Sequence, residues 1–323
     1  MNTCDLTKSF WKNQFTRLTN CRSLLRDMSP LRYPGGKGSL KYFLANTVIN
    51  NGLEGKALIE PFCGGAGASL PLLKQGIIRK LWINDSNPAI YAFWHSIISD
   101  TEAFLSLLHK TPINIRQWKR QKEIVQNSHH ASLLELGFAA FYLNRTNRSG
   151  LIIGGPIGGM SQDGSYKMDC RFNKKSLSHR IEKISNLGDM ICVRNLDAIK
   201  FLDSIPTNQL DNSLVFLDPP YVRHGYNIYR NFCFKEEDHR RLAKYIKSKR
   251  WRWLLTYDDA PLIHELYSER TKGILEYSYY MQKAKIGREL ILAASICRLQ
   301  LAELAKNKTE KSAELPCRQS IRI

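Results

Sequence analysis

The stretch Leu214-Val215-Phe216-Leu217-Asp218-Pro219-Pro220-Tyr221 constrains this chain more than any other. Four consecutive apolar residues read as a short buried strand. Two prolines stop it at once, because neither donates a hydrogen bond to a sheet ladder. A carboxylate, a stiff turn and an aromatic ring are thereby gathered at the carboxyl edge of one strand. In open α/β sheets that edge is where ligands bind.

These residues suit reaction at an amine on a flat ring. The exocyclic nitrogen of adenine is a poor nucleophile, since its lone pair is delocalised into the ring. The Asp218 carboxylate and the Pro219 carbonyl offer two acceptors for its hydrogens and favour a more tetrahedral nitrogen. Pro220 stiffens the turn, and Tyr221 offers a face for stacking. A base within a duplex must be flipped out to reach such a pocket. The plain alternative is a strand end with a capping Asp and a polyproline turn, so the surrounding motifs have to decide.

Ala57-Leu58-Ile59-Glu60-Pro61-Phe62-Cys63-Gly64-Gly65-Ala66-Gly67 is a strand running into a glycine-rich turn, and a helix follows from Ala68. This is nucleotide-binding logic, with glycine spacing unlike GxGxxG. Glu60 at the strand end suits a positively charged ligand group. Lys80 to Asp85 reads as a second strand ending in an acid, placed to hold the two hydroxyls of a ribose. The alternative for Asp85 is an N-cap for the helix from Pro88. Upstream, Arg32-Tyr33-Pro34-Gly35-Gly36-Lys37 precedes a helix over Leu40 to Val48; Gly36 lets a backbone approach a ligand closely, and Lys37 adds a cation. Further strands are expected at Ile191–Val193, Leu214–Leu217, Trp253–Thr256 and Glu289–Ala293, with helices at Leu196–Ser204 and Glu236–Ser248 between the first three. The alternation argues an α/β fold with a doubly wound, mostly parallel sheet.

Between these halves the pattern turns helical: Tyr91–Leu108, Ile115–Gln126 and Ala131–Leu143, then a glycine-rich loop from Gly150 to Gly164. From Thr111 to Arg180 there are eleven Lys or Arg against four Asp or Glu. The whole chain carries 48 Lys and Arg against 29 Asp and Glu, a formal charge of +19. That excess expects a polyanion, with nucleic acid first. Residues 89–185 therefore read as an inserted, mainly helical DNA-recognition subdomain. Lys119, Arg120, Lys122, Lys174 and Lys175 lie in charge clusters suited to phosphate. Asn144, Arg145 and Arg148 offer forked donors on a short flexible stretch suited to base edges. For Arg145 the competing reading is structural packing, because it adjoins the apolar helix Phe138–Leu143.

The catalytic domain is then 28–88 with 186–300, preceded by a mobile extension over 1–27 and followed by a charged, mobile tail over 301–323. Met28 makes a natural start. No apolar run approaches the roughly 20 residues of a membrane span, and the N-terminus lacks a signal-peptide core. The eight cysteines form no CxxC pair and no His cluster completes a zinc pattern, so no metal is expected and the thiols read as reduced, in the cytoplasm.

Taken together, Arg32–Lys37, Glu60–Gly67, Asn84-Asp85, Asn144-Arg145 with Gly150-Leu151, Asp218–Tyr221 and Arg288-Glu289-Leu290 resemble the Dam-type (D12 class) DNA adenine N6-methyltransferases, in family order over nearly all of 29–295. The resemblance implies a Rossmann-like methyltransferase fold, S-adenosyl-L-methionine as cofactor and a double-stranded DNA substrate. It implies that Tyr33, Lys37, Asp85 and Asp218 bind or border the cofactor, with Phe62 and Gly64 in the loop beside it. It implies that Asp218, Pro219, Pro220 and Tyr221 form the catalytic pocket. Leu254 to Asp259 departs from the family, which often has Ser-Asn-Asp there. Structured RNA is the alternative substrate, and a silent DNA-binding relative the alternative to an enzyme. Neither the target sequence nor a restriction or defence partner is written in these residues.

Overall fold

The computed structural model of the protein describes residues 28–32, 37–223, 234–280, 284–299 and 319–322. The strands are β1 (Ala57–Glu60), β2 (Lys80–Asn84), β3 (Ile191–Arg194), β4 (Ser213–Leu217), β5 (Arg252–Asp258), β6 (Thr271–Tyr280), β7 (Ala284–Ala293) and β8 (Gln319–Arg322). They form one sheet in the order β3-β2-β1-β4-β5-β7-β6-β8. The first five neighbours pair parallel. β1 and β4 are buried at every position, as expected of central strands covered on both faces.

The chain starts at β1, moves outward through β2 to β3, and returns past β1 to β4 and β5. The order reverses between β1 and β4, so a crevice opens at their carboxyl ends. Glu60 ends β1 and Asp218 directly follows β4. Two sequence expectations need correcting here. The Glu289–Ala293 segment belongs to a longer strand that runs antiparallel, wedged between β5 and β6. The end of the supposed mobile tail, Gln319–Arg322, pairs with β6 as an edge strand. The supposed mobile extension over 1–27 lies outside the described residues.

The helices are α1 (Lys41–Asn50), α2 (Ser69–Lys74), α3 (Pro88–Ser99), α4 (Thr101–Lys110), α5 (Ile115–Gln126), α6 (Leu133–Thr146), α7 (Lys174–Ser185), α8 (Ala198–Asp203), α9 (Thr207–Asp211), α10 (Glu236–Lys247) and α11 (Pro261–Leu266). The expected helix Tyr91–Leu108 is two helices that part at Asp100. Helices α3 to α7 make up the connection from β2 to β3. This insert is not a detached lobe: its apolar residues, from Phe93 and Trp94 to Phe141 and Ile181, join one continuous core with the sheet.

Helix α6 is the centre of the insert. Ser132 and Glu135 form a reciprocal capping box at its start, which satisfies two orphan donors at once. Its residues from Leu136 to Asn144 are all buried. It packs on α3 and α5, and α3 also touches β3. At Gly137 an added Cβ would lie 2.5 Å from the Ala92 carbonyl oxygen. Gly137→Ala is therefore expected to force the two helices apart and destabilise the protein by about 1–3 kcal/mol, read as a lowered Tm in thermal melts. An unchanged or raised Tm would show that the helices do not meet here.

Candidate active site

The Asp-Pro-Pro-Tyr turn is gripped by side chains from three distant parts of the chain. Lys37 opens the short 3-10 turn before α1, and it is buried with only 8% exposure. Its ammonium donates to Glu289 Oε1 at 2.8 Å and to the Tyr221 hydroxyl, and stands 3.3 Å from Asp218 Oδ1. An ammonium has three protons, and three acceptors meet it. The Tyr221 hydroxyl in turn donates to Glu289 Oε1 at 2.6 Å. From β5, Thr256 Oγ1 donates to Asp218 Oδ1 at 2.7 Å. Two residues on, the Asp258 carboxylate accepts the backbone N–H groups of Val222 and Arg223 at 3.0 and 2.9 Å.

Asp258 and Glu289 lie directly opposite each other on the β5–β7 ladder. Residues so paired project to the same face, so one rung delivers two carboxylates. One holds the backbone of the turn and the other the tip of its tyrosine. Sequence reading missed Glu289, Thr256 and Asp258 as site residues. The signal for Glu289 was available: a lone acid at the head of the apolar run Leu290–Ala294 is expensive to bury unless paired. For Thr256 no signal stands out.

The charges are interdependent. Burial pulls the Lys37 ammonium down, but Asp218 and Glu289 more than offset this and hold its pKa raised. Burial raises Asp218, Lys37 opposes, and Glu289 adds to the rise. Asp218 nevertheless keeps 26% of its side chain exposed. Its Oδ1 is occupied by Thr256 and Lys37.

Across the crevice lies the glycine loop. Gly64 has φ +44° and Ala66 φ +45°, the left-handed region where glycine is at no disadvantage. Asp85 follows β2, and its Oδ2 accepts the Gly64 N–H at 3.1 Å while Oδ1 accepts Asn87 N–H at 2.9 Å. The N-cap of α3 is Asn87, not Asp85: its side chain accepts from Ala89, with Pro88 at the first helical position. Each Asp85 oxygen keeps one lone pair. Burial pushes Asp85 up to about 6, with the Asn87 and Gly64 N–H groups opposing. Burial pushes Glu60 up to about 8, with the Ser69 hydroxyl opposing. Fully buried Asn84 bridges the loop and the end of β3, donating to the Pro61 and Leu196 carbonyls, each at 3.0 Å. The half-buried Phe62 ring meets the edge of Phe234, with centroids 5.5 Å apart. Tyr33 and Gly36 lie outside the described residues.

The insert reaches this crevice directly, since Trp94 Nε1 of α3 donates to the Gly64 carbonyl at 2.8 Å. Three of the residues expected at the DNA have partners within the protein itself. Asn144 is fully buried, and its amide accepts from Arg32 N and donates to the Arg32 and Gly150 carbonyls. Arg145 donates to the carbonyls of Arg171 and Pro30, the structural reading held open for it. Burial first, and then Arg32, Arg180 and Arg171, push it down to about 10. Lys174 holds the His109 and Thr111 carbonyls at the end of α4, a favourable place for a cation. Lys119, Arg120, Arg148 and Lys175 are exposed, and Lys122 lies 4.9 Å from the Trp118 ring centroid.

A family model for the D12 class N6 adenine-specific DNA methyltransferases matches residues 33–282. The chain belongs to that family. Among its relatives is the Type II methyltransferase M.CviBI of Paramecium bursaria Chlorella virus NC1A, 25% identical over 250 residues that cover 72% of this chain and 85% of the relative. The protein is a DNA adenine N6-methyltransferase with an α/β, Rossmann-like methyltransferase fold, and the match spans β1 to β6 together with the whole insert. No helix among the described residues is long and apolar enough to cross a membrane. Nor do His, Cys, Asp and Glu gather among them into a group that could hold a metal.

Asn144 separates support from recognition. Asn144→Ala leaves the Arg32 N–H and two carbonyls unpaired, each worth about 1–3 kcal/mol when buried. The expected result is a clearly lowered Tm with the ratio of cognate to non-cognate DNA affinity unchanged. A stable variant whose ratio collapses would restore Asn144 as a base-reading residue.

Proposed function

We propose that the crevice between β1 and β4 holds S-adenosylmethionine and that Asp218 to Tyr221 receive an adenine flipped from duplex DNA. The carrying observation is Asp218 itself: a carboxylate at the switch point, anchored through one oxygen and open through the other. The crevice suits this cofactor. The two lone pairs left on Asp85 match two vicinal ribose hydroxyls. A cationic group beside Glu60 would reverse the effect of burial on that acid. Phe62 and the Gly64 turn line the same side, and Lys37, spent on its three acceptors, borders the site.

The bound cofactor supplies a methyl made electrophilic by its sulfonium, and the chain positions the amine for in-line displacement. Asp218 Oδ2 and the Pro219 carbonyl accept the two amine hydrogens. Those bonds strengthen as the nitrogen becomes cationic, which is the stage at which they accelerate reaction. Pro220 holds the turn, and Tyr221 packs on the base. No covalent intermediate is required, so neither Cys63 nor Cys233 is needed as a nucleophile; burial holds the Cys63 thiol well above its ordinary range. Lys119, Arg120, Lys122 and Lys175 serve phosphates on the duplex, and Arg148, exposed beside the glycine-rich loop, serves a base edge.

Methyl transfer from labelled cofactor to unmethylated duplex, with structured RNA alongside, tests this reading. Asp218→Ala is expected to abolish transfer while the fold and DNA affinity persist. Near-normal turnover would remove Asp218 from the chemistry.

Asp85 carries a pH dependence. Above about 6 it is ionised and both oxygens accept; below, one carries a proton and stops accepting. Cofactor affinity is expected to weaken as pH falls through 6. Asp85→Asn is expected to bind more weakly at pH 8, by the roughly 1.5–3 kcal/mol of a charged hydrogen bond, and to lose the dependence between pH 5 and 7. Calorimetric titration of both proteins checks it, and parallel pH curves would assign Asp85 to the loop alone.

A further inference from the structure

We infer that Glu289 is a positioning residue for methyl transfer, acting through the Tyr221 hydroxyl and the Lys37 ammonium on the pocket that receives the base. The inference rests on the reading of Asp218 to Tyr221 as that pocket.

Glu289 is 3% exposed and touches the turn only by its tip. A single oxygen, Oε1, accepts from Lys37 at 2.8 Å and from Tyr221 at 2.6 Å. Tyr221 has one hydroxyl proton, and Asp218 Oδ1 stands farther away, at 3.4 Å. The proton therefore goes to Glu289. Two consequences follow for the pocket. The Tyr221 ring is fixed at its far end, so it cannot swing about the flexible bond that joins it to the turn. Asp218 Oδ1 is left to Thr256 and Lys37, so a third donor does not compete with them there. Lys37 couples the two acids, because the same ammonium neutralises Glu289 and lies beside Asp218 Oδ1.

The backbone of the turn has its own, separate anchor in Asp258. Removing Glu289 should therefore leave this backbone anchor in place while it loosens the ring and the charge balance. That distinguishes orientation of the pocket from construction of the fold. It also predicts that Glu289 and Tyr221 act as a unit, and groups that do so are strongly non-additive when removed together.

The test is a mutant cycle on single-turnover methylation of unmethylated duplex DNA, using Glu289→Gln, Tyr221→Phe and the double variant. Gln keeps an acceptor and the volume but loses the charge; Phe keeps the ring and loses the hydroxyl. Each single variant is expected to slow transfer at least tenfold, with the cofactor Kd within about threefold of wild type. The double variant is expected to be no more than about threefold slower than the worse single one. A wild-type rate for Glu289→Gln, or losses that multiply, overturns the inference.

If Glu289→Gln does not fold because Lys37 is left unpaired, Lys37→Met with Glu289→Leu replaces the buried pair by apolar residues, an exchange that proteins often tolerate. That protein should fold and methylate at least tenfold more slowly, and full activity in it again overturns the inference. Asp218→Ala run beside these separates the two levels. Normal turnover there sinks the pocket itself, whereas a dead Asp218→Ala with a fully active Glu289→Gln sinks only the role of Glu289.

Discussion

Lys37 places a buried ammonium where three acceptors from different regions converge: Asp218 after β4, Tyr221 at the end of the same turn, and Glu289 on β7. Removing one partner of such a buried pair costs about 3–5 kcal/mol, because the remaining charge is stranded. The interaction fixes how the N-terminal turn, the central strand edge and the reversed strand sit against one another. The crevice between β1 and β4 supplies the space, but the Lys37 junction decides where its walls stand.

The reversed strand is what makes the junction available. Were β7 parallel like its neighbours, its acid would face the opposite end of the sheet. Running antiparallel beside β5, it sets Glu289 opposite Asp258. The site is thus assembled from the carboxyl ends of four parallel strands and the middle of one antiparallel strand. Glu60, Asp85, Asp218 and Asp258 each stand at or just after such a parallel strand end.

The insert reaches the crevice as a structural partner as well as a basic surface. Trp94 holds the carbonyl of Gly64, and Asn144 ties Arg32 to Gly150. An added Cβ at Gly150 would lie 2.4 Å from the Arg32 carbonyl oxygen, so this contact leaves no room for any other residue. Residues that look like DNA readers in a basic stretch are here holding the helical insert against Arg32. The four arginines at 32, 145, 171 and 180 crowd one another. Arg32, Arg145 and Arg180 spend guanidinium N–H groups on main-chain carbonyls, and Arg171 lends its own carbonyl to Arg145. That arrangement stiffens the same region.

Local order was enough to determine a good deal. Buried strands ending in Glu60, Asp85 and Asp218, the glycine loop, the basic helical insert and the doubly wound class are all legible, because each depends on neighbours within a few residues. Proline stops a strand and glycine permits a left-handed turn wherever they occur. What the order of residues left open was partnership. Asn144, Arg145 and Lys174 have the donors of a DNA-binding surface, and only the packed chain shows them bonded to main-chain carbonyls of the protein itself. Glu289 reads as one acid before an apolar run until the antiparallel pairing of β7 brings it across 252 residues to Lys37. Direction of a strand and occupancy of a polar group are decided by long-range pairing, where the free energy belongs to two distant segments together and to neither alone.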